Sequence, residues 1–108
     1  MIKKYLTLPL TAVLMLVGTA HGAGDIARGK AKSVTCAACH GADGNSVAAT
    51  FPKLAGQNAD YLVHTLNGYK KGTRKNAIMS SMAAPLSPSD IEDLAAYYAS
   101  QTGLIIKK

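Results

Sequence analysis

Apolar residues recur along the chain at the three- and four-residue spacing of helices, and no stretch alternates between apolar and polar residues as a strand does. The most regular apolar stripe consists of Ile91, Leu94, Ala95 and Tyr98. A strong start signal precedes it, because Ser87 can cap a helix, Pro88 suits its first position, and Asp90 completes a capping box. The pattern predicts a helix from Pro88 to about Gly103.

Two further helices are predicted upstream, with loops at 41–57 and 73–86. One helix begins after Asn58 and has a stripe of residues expected to be buried. Lys70 and Lys71 lie in its last turn, where positive charge suits the helix dipole, and Gly72 ends it. Its stripe consists of Leu62, Thr65, Leu66 and Tyr69. The other begins at Asp25 and runs to about Thr35. Its expected inward face consists of Ile26, Ala27, Ala31 and Val34. Three principal helices, with at most one turn in 73–86, predict an all-α domain.

The first residues have the pattern of an export signal. Lys3 and Lys4 precede an apolar segment, and small residues follow it. Ala20 and Gly22 satisfy the small-x-small rule for cleavage before Ala23. An uncleaved membrane anchor is the alternative, but the apolar segment is shorter than the ~20 residues that a spanning helix needs. We therefore expect a signal peptide at 1–22, a domain at 23–108, and a periplasmic protein without membrane insertion after cleavage.

Composition shows that side chains alone provide little bulk for a core. The chain is 48% hydrophobic and 17% charged, which excludes a disordered tail, yet it has one Phe and no Trp. Two cysteines cannot hold together a disulfide-dense scaffold. Residues 23–108 carry a net charge of only +4, without aromatic residues among the basic ones, which argues against nucleic-acid binding. A bound group is expected to complete the core.

The sequence Cys36-Ala37-Ala38-Cys39-His40 has the C-x-x-C-H spacing that attaches c-type haem. Two thiols one helical turn apart can each form a thioether to a haem vinyl group, and the adjacent imidazole then lies beneath the iron. Both cysteines of the chain fall within this motif. We therefore predict one covalently bound haem c, attached through Cys36 and Cys39 and ligated by His40.

Three other interpretations of the motif compete with haem. A redox-active disulfide would require a thioredoxin-like βαβ setting, which the pattern does not show. A zinc site would use both cysteines, His40 and His64, but adjacent ligands at 39 and 40 suit one tetrahedron poorly. A structural disulfide would close a very small, strained loop.

The sixth iron position has three candidate ligands, namely Met79, Met82 and His64. The two methionines lie in the predicted loop 73–86, which can cross the open haem face more easily than the stripe of a helix can. His64 lies within a predicted helix and is expected at its surface. A methionine thioether favours Fe(II) and raises the reduction potential, whereas a second histidine lowers it.

The chain resembles the small class I c-type cytochromes of the bacterial periplasm, such as cytochrome c553 and a single haem domain of cytochrome c4. The stretches that carry the resemblance are 24–30, C-A-A-C-H-G at 36–41 with 43–46, F-P-K-L-A-G-Q at 51–57, 61–62, the Met79 segment, 86–87, 90–91 and 93–98. The resemblance implies the cytochrome c fold and an axial Met79, seven residues before Leu86, with Met82 as the alternative. It also implies that the Pro52 carbonyl accepts a hydrogen bond from the second ring N–H of His40, and that Gly29 lets Tyr97 approach closely.

These features predict an electron-transfer protein rather than an enzyme, since iron held by His40 and Met79 has no open position. We expect a monomeric carrier between redox proteins with acidic docking surfaces. The alternative is a haem subunit of a larger dehydrogenase, which the unassigned apolar tail at 104–106 slightly favours. A basic cluster, formed by Lys70, Lys71, Arg74 and Lys75, is either a solvated face or a steering surface beside the haem edge.

Overall fold

The computed structural model describes residues 2–5, 7–13 and 24–107, and within them all regular structure is helical. The helices are α1 (Ile26–Lys32), α2 (Val34–His40), α3 (Ala59–Lys71), α4 (Ala77–Ala83) and α5 (Pro88–Ser100). The all-α prediction is confirmed. Within the described ranges, no helix has the length and apolar character to cross a membrane. The predicted cleavage point before Ala23 lies outside the described residues.

Helix α5 forms the centre of the domain and packs against both α1 and α3. Its predicted stripe is buried, and it supplies most of a core cluster made of Leu62, Leu94, Ala95, Tyr97 and Tyr98. The predicted capping box is present, because the Ser87 hydroxyl accepts a bond from the Asp90 N–H and the Asp90 carboxylate accepts one from the Ser87 N–H. Local sequence signals therefore place the start of α5 correctly.

The predicted inward face of α1 is wrong. Ile26 and Val34 are 51% and 73% exposed, and the residue that α1 buries is Gly29. A Cβ atom at Gly29 would lie 2.0 Å from the Asp93 carbonyl oxygen and 2.7 Å from Tyr97 Cβ. The expected approach of Gly29 to Tyr97 is therefore confirmed. Close backbone contact with α5, rather than burial of branched side chains, determines which face of α1 turns inward.

The other segments differ from expectation in two places. The first helix is divided at Ser33 into α1 and α2, so the C-x-x-C-H motif lies on a helix that ends at His40. The loop predicted at 73–86 contains α4, whose N-cap Asn76 accepts a hydrogen bond from the Met79 N–H. The Lys70 ammonium holds the end of this helix by donating to two backbone carbonyls, those of residues 84 and 86. Met79 and Met82 therefore lie on a short helix and not in a loop.

A buried carboxylate joins α1 to α5. Asp93 is 2% exposed, and its oxygens accept hydrogen bonds from the Asp25 N–H at 2.8 Å, the Lys32 ammonium at 2.9 Å and Arg28 Nε at 3.2 Å. The Asp25 N–H and then the two cations hold the pKa of Asp93 well below its ordinary value. Because the unfolded chain binds a proton more readily than the folded chain does, this carboxylate stabilises the fold above its unfolded pKa of about 3.9.

Asp93→Asn is expected to lower the thermal unfolding temperature at pH 7, because it removes the charge that pairs with Arg28 and Lys32. The difference from wild type should shrink as the pH falls through about 4, where the wild-type carboxylate begins to lose its contribution. Unfolding followed by circular dichroism at several pH values measures both effects. Glu92→Gln, at an exposed neighbouring position, is the control and should change neither. A constant difference from pH 7 to pH 3 would contradict this account.

Candidate functional site

A cleft of about 580 Å³ opens between α2, α3 and α4, with α5 behind it. Its walls are mainly apolar, with residues of the 50–54 loop completing one side. The predicted site residues that line the cleft are Cys36, Cys39, His40, Pro52, Met79 and Met82. The volume lies in the usual range for small-molecule and cofactor sites. The cleft therefore brings together residues that are separated by more than forty positions in the sequence.

His40 is the last residue of α2 and is buried. Its Nδ1 atom lies 2.8 Å from the Pro52 carbonyl oxygen. Because a carbonyl only accepts, we assign the proton to Nδ1, which leaves the Nε2 lone pair available to a metal. The ring of Phe51 meets the imidazole edge-on, with 6.5 Å between ring centroids. The loop that contains Phe51 and Pro52 thus holds the imidazole in one orientation, and Pro52 is the residue that the family resemblance implies as its partner.

Cys36 and Cys39 are half-buried free thiols one turn apart on α2. The alternatives to haem attachment find little support around them. No strand precedes the motif within the described part of the chain, as a thioredoxin-like site would require. Among residues 24–107, no three His, Cys, Asp or Glu side chains are grouped as ligands of a metal ion. His64 is exposed and is not among the residues that line the cleft.

Met79 and Met82 both reach the cleft from α4. Met79 is half-buried, whereas Met82 is 38% exposed. Helices α2 and α4 do not pack against each other, although both line the cleft. An imidazole and a thioether are therefore carried by two separate walls of one apolar space.

The residues of the cleft fit a large, flat, apolar group that is held covalently. The two thiols, the fixed imidazole and the thioethers supply the donor set of a c-type haem. One buried polar atom in the cleft also needs a partner, since the Tyr98 hydroxyl makes no hydrogen bond within the described residues. The sequence pattern predicted the burial of Tyr98, but it contains no signal for an unpaired hydroxyl.

The edge of the cleft carries positive charge. The Arg74 guanidinium lies over the Tyr69 ring, 5.2 Å from its centroid, and both residues line the cleft. Contact with the phenol groups of Tyr69 and Tyr61 raises the pKa of Arg74 above its ordinary value. Of the predicted basic cluster, Arg74 therefore reaches the cleft, Lys70 is engaged with backbone carbonyls, and Lys71 and Lys75 are exposed.

Comparisons with known proteins match most of the chain to one family. Residues 26–102 match the profile of the cytochrome c family. Cytochrome c4 from Pseudomonas aeruginosa is 50% identical over 96 residues, which cover 89% of this chain and 48% of that protein. The chain thus spans about half the length of this relative. Cytochrome c-554(548) from Halomonas halodenitrificans is 50% identical over 82 residues, which cover 73% of this chain and 99% of that protein.

Solved structures are similar over the same part of the chain. The crystal structure of reduced recombinant cytochrome c4 from Pseudomonas stutzeri has a TM-score of 0.72 at 47% identity, and the match covers 77% of this chain and 48% of that one. A thiosulfate dehydrogenase from Marichromatium purpuratum has a TM-score of 0.68 at 34% identity, and the match covers 72% of this chain and 19% of that one. These matches have the fold that the resemblance implied.

Proposed function

Since the chain belongs to the cytochrome c family, whose cofactor is covalently attached haem c, we propose that it is a one-electron carrier with its iron held between His40 and Met79. The bound haem supplies the Fe(II)/Fe(III) couple. Cys36 and Cys39 anchor the group to α2, and His40 offers Nε2 to the iron. The Pro52 carbonyl keeps the imidazole proton on Nδ1 and increases the basicity of the ligating nitrogen.

The observation that carries this proposal is the convergence of both cysteines, His40 and Met79 on one apolar cleft. We prefer Met79 to Met82 because its side chain is more buried, and because the family places the ligand seven residues before the Leu-Ser that opens the last helix. Two strong protein ligands leave the iron without an open position. Electron transfer through the haem edge is then the remaining function, and substrate binding at the metal is disfavoured.

The visible spectrum and midpoint potential of the purified, haem-loaded protein test the proposal directly. We expect a low-spin c-type spectrum after reduction, a Met–iron charge-transfer band after oxidation, and reversible one-electron titration. Carbon monoxide should bind poorly to the reduced protein, since Met79 occupies the sixth position. A high-spin spectrum with ready binding of carbon monoxide would overturn the six-coordinate carrier.

We also propose that residues 1–22 are a signal peptide and that 23–108 act in the periplasm as a monomer. In support, the side chains of 2–5 and 7–13 are all exposed, including apolar ones such as Leu10 at 98%. Apolar residues without a place in the core suit a segment that is removed after export. Mass spectrometry of the periplasmic protein should give an N-terminus at Ala23, and a mass that includes residues 1–22 would contradict cleavage.

A second candidate function is that of a haem subunit within a larger dehydrogenase. The similarity to part of a thiosulfate dehydrogenase supports it, as does the exposed apolar tail, where Ile105 is 98% exposed. Gel filtration of a native extract separates the candidates. A free carrier should elute at its own mass, whereas co-elution with a catalytic polypeptide would favour the subunit.

Positive charge near the cleft is expected to speed the encounter with an acidic redox partner. In Lys71→Glu/Lys75→Glu, the bimolecular rate with such a partner should fall by roughly tenfold at low salt. The difference should disappear as salt screens the surface charges, whose Debye length is ~10 Å at 0.1 M. Stopped-flow kinetics over a range of ionic strength measures it.

The control for this experiment is Lys30→Glu/Lys107→Glu, which changes the net charge equally at exposed positions outside the basic cluster, whereas Lys71 and Lys75 flank Arg74, which lines the cleft. Its rate should decrease much less. Equal decreases in the two variants would show that net charge alone matters, and a rate independent of salt would remove steering altogether.

A further inference from the structure

Tyr98 has a buried hydroxyl whose function packing does not explain. The residue is 3% exposed, and its side chain belongs both to the core cluster on α5 and to the lining of the cleft. Its hydroxyl oxygen has no hydrogen-bond partner within the described residues. A buried hydroxyl left unpaired destabilises the fold, and phenylalanine would avoid that cost at nearly the same volume. A partner in the haem-loaded protein would account for the tyrosine.

The surroundings of the Tyr98 ring fix where its hydroxyl points. Gly44, at φ +84°, allows the ring to lie so close that a Cβ there would be 2.7 Å from Tyr98 Cδ1. The ring of Tyr97 packs on it with 5.1 Å between centroids. The backbone is also held, because the Tyr98 carbonyl accepts a hydrogen bond from the Gly56 N–H at 2.9 Å. The hydroxyl therefore cannot swing out to solvent without disrupting the core.

Of the two cysteines that line the cleft, Cys36 is the one next to Tyr98 in the core packing. Cys36 packs against the core cluster that contains Tyr98, and both residues line the cleft. Burial, together with the neighbouring Cys36, raises the pKa of Tyr98 well above its ordinary value. A tyrosine phenol, whose ordinary pKa is about 10, keeps its proton at neutral pH and can donate it in a hydrogen bond.

We propose that the Tyr98 hydroxyl donates a hydrogen bond to the Cys36 sulfur once that sulfur has formed its thioether, and that this bond raises the reduction potential. A thioether sulfur has no proton and can only accept, so the phenol must be the donor. The bond withdraws electron density from the edge of the haem and so favours Fe(II). This inference rests on the haem attachment proposed above, and it makes Tyr98 a positioning residue that acts through Cys36.

Tyr98→Phe tests the proposal because it removes one oxygen atom and keeps the ring. At a fixed ambient potential, the ratio of reduced to oxidised protein should fall about twofold. The expected effect is this small because only part of the free energy of one hydrogen bond differs between the two oxidation states. That change corresponds to about 18 mV for a one-electron couple, since tenfold is 59 mV. The C–S stretching band in the resonance Raman spectrum should shift in the same variant.

Tyr97→Phe is the matched control. Its hydroxyl donates to the Ala42 carbonyl at 2.8 Å, and Tyr97 is not among the residues that line the cleft. Tyr97→Phe should lower the unfolding temperature and leave both the potential and the Raman band unchanged. If Tyr98→Phe also leaves the potential unchanged, the proposal is overturned, whatever happens to stability.

Ser33 is a rival hydrogen-bond partner, since its hydroxyl interacts with Tyr98 and lowers the pKa of the phenol. Its own hydroxyl proton is committed to the Lys30 carbonyl at 2.7 Å. Ser33→Ala should leave the potential unchanged, and a decrease equal to that of Tyr98→Phe would reject Cys36 as the acceptor. Covalent haem and a reversible potential in the wild-type protein test the proposed function separately, so failure of this inference can be recognised by itself.

Discussion

Cys36→Ser/Cys39→Ser, produced in a host that attaches haem c, is expected to yield a colourless chain without a cooperative fold. Neither serine hydroxyl can form the thioether, so the cleft between α2, α3 and α4 stays without covalent haem. The buried hydrophobic residues in the described part of the chain are Ala55, Leu62, Ala83, Ile91, Leu94, Ala95, Tyr97 and Tyr98. Three of the eight are alanines. Small domains bury too little surface to tolerate such a loss, because total stability is only about 5–15 kcal/mol.

Circular dichroism and thermal unfolding measure the result. Compared with the haem-loaded protein, we expect most of the helical signal to be lost and no sharp transition on heating. Ala37→Ser/Ala38→Ser is the matched control, since it introduces the same two hydroxyl groups between the cysteines and keeps both thiols. It should bind haem and unfold cooperatively. A double-cysteine variant that retains helix and a sharp transition would show that the side chains suffice as a core.

The parts of the fold that the sequence predicted are those determined by neighbouring residues. The start of α5 depends on a capping box formed by Ser87 and Asp90, three residues apart. The end of α3 depends on Gly72, whose φ of +82° suits glycine. The C-x-x-C-H motif is equally local, because its spacing expresses the geometry of attachment within one helical turn.

The parts that the sequence did not predict depend on contacts between distant residues. Helix α4 has only seven residues, too few for a stable helix alone, and it is held by α3 and by the Lys70 ammonium. The orientation of α1 depends on Gly29 meeting α5, together with the buried Asp93 that binds its cations. Apolar periodicity predicts that apolar residues face the core. It therefore predicted an inward Ile26 and contained no signal for Asp93, a charged residue that is buried.

Met79→Ala is expected to convert the iron to five-coordinate or weakly ligated form and to lower the midpoint potential strongly. A thioether stabilises Fe(II), so its loss should lower the potential by roughly 0.1–0.2 V, a fraction of the ~0.8 V that axial ligands span. The Met–iron charge-transfer band of the oxidised protein should disappear, and the reduced protein should bind carbon monoxide readily. Spectroscopy and redox titration measure all three changes.

Met82→Ala is the control within the same helix, since both methionines line the cleft and stand three residues apart on α4. It should keep the charge-transfer band and a potential close to that of the wild-type protein. The reverse pattern, with the band lost in Met82→Ala and kept in Met79→Ala, would make Met82 the ligand. Combining the two changes in Met79→Ala/Met82→Ala removes both thioethers of α4. A low-spin spectrum in that double variant would show that the sixth ligand comes from outside α4, and it would contradict Met79 as the ligand.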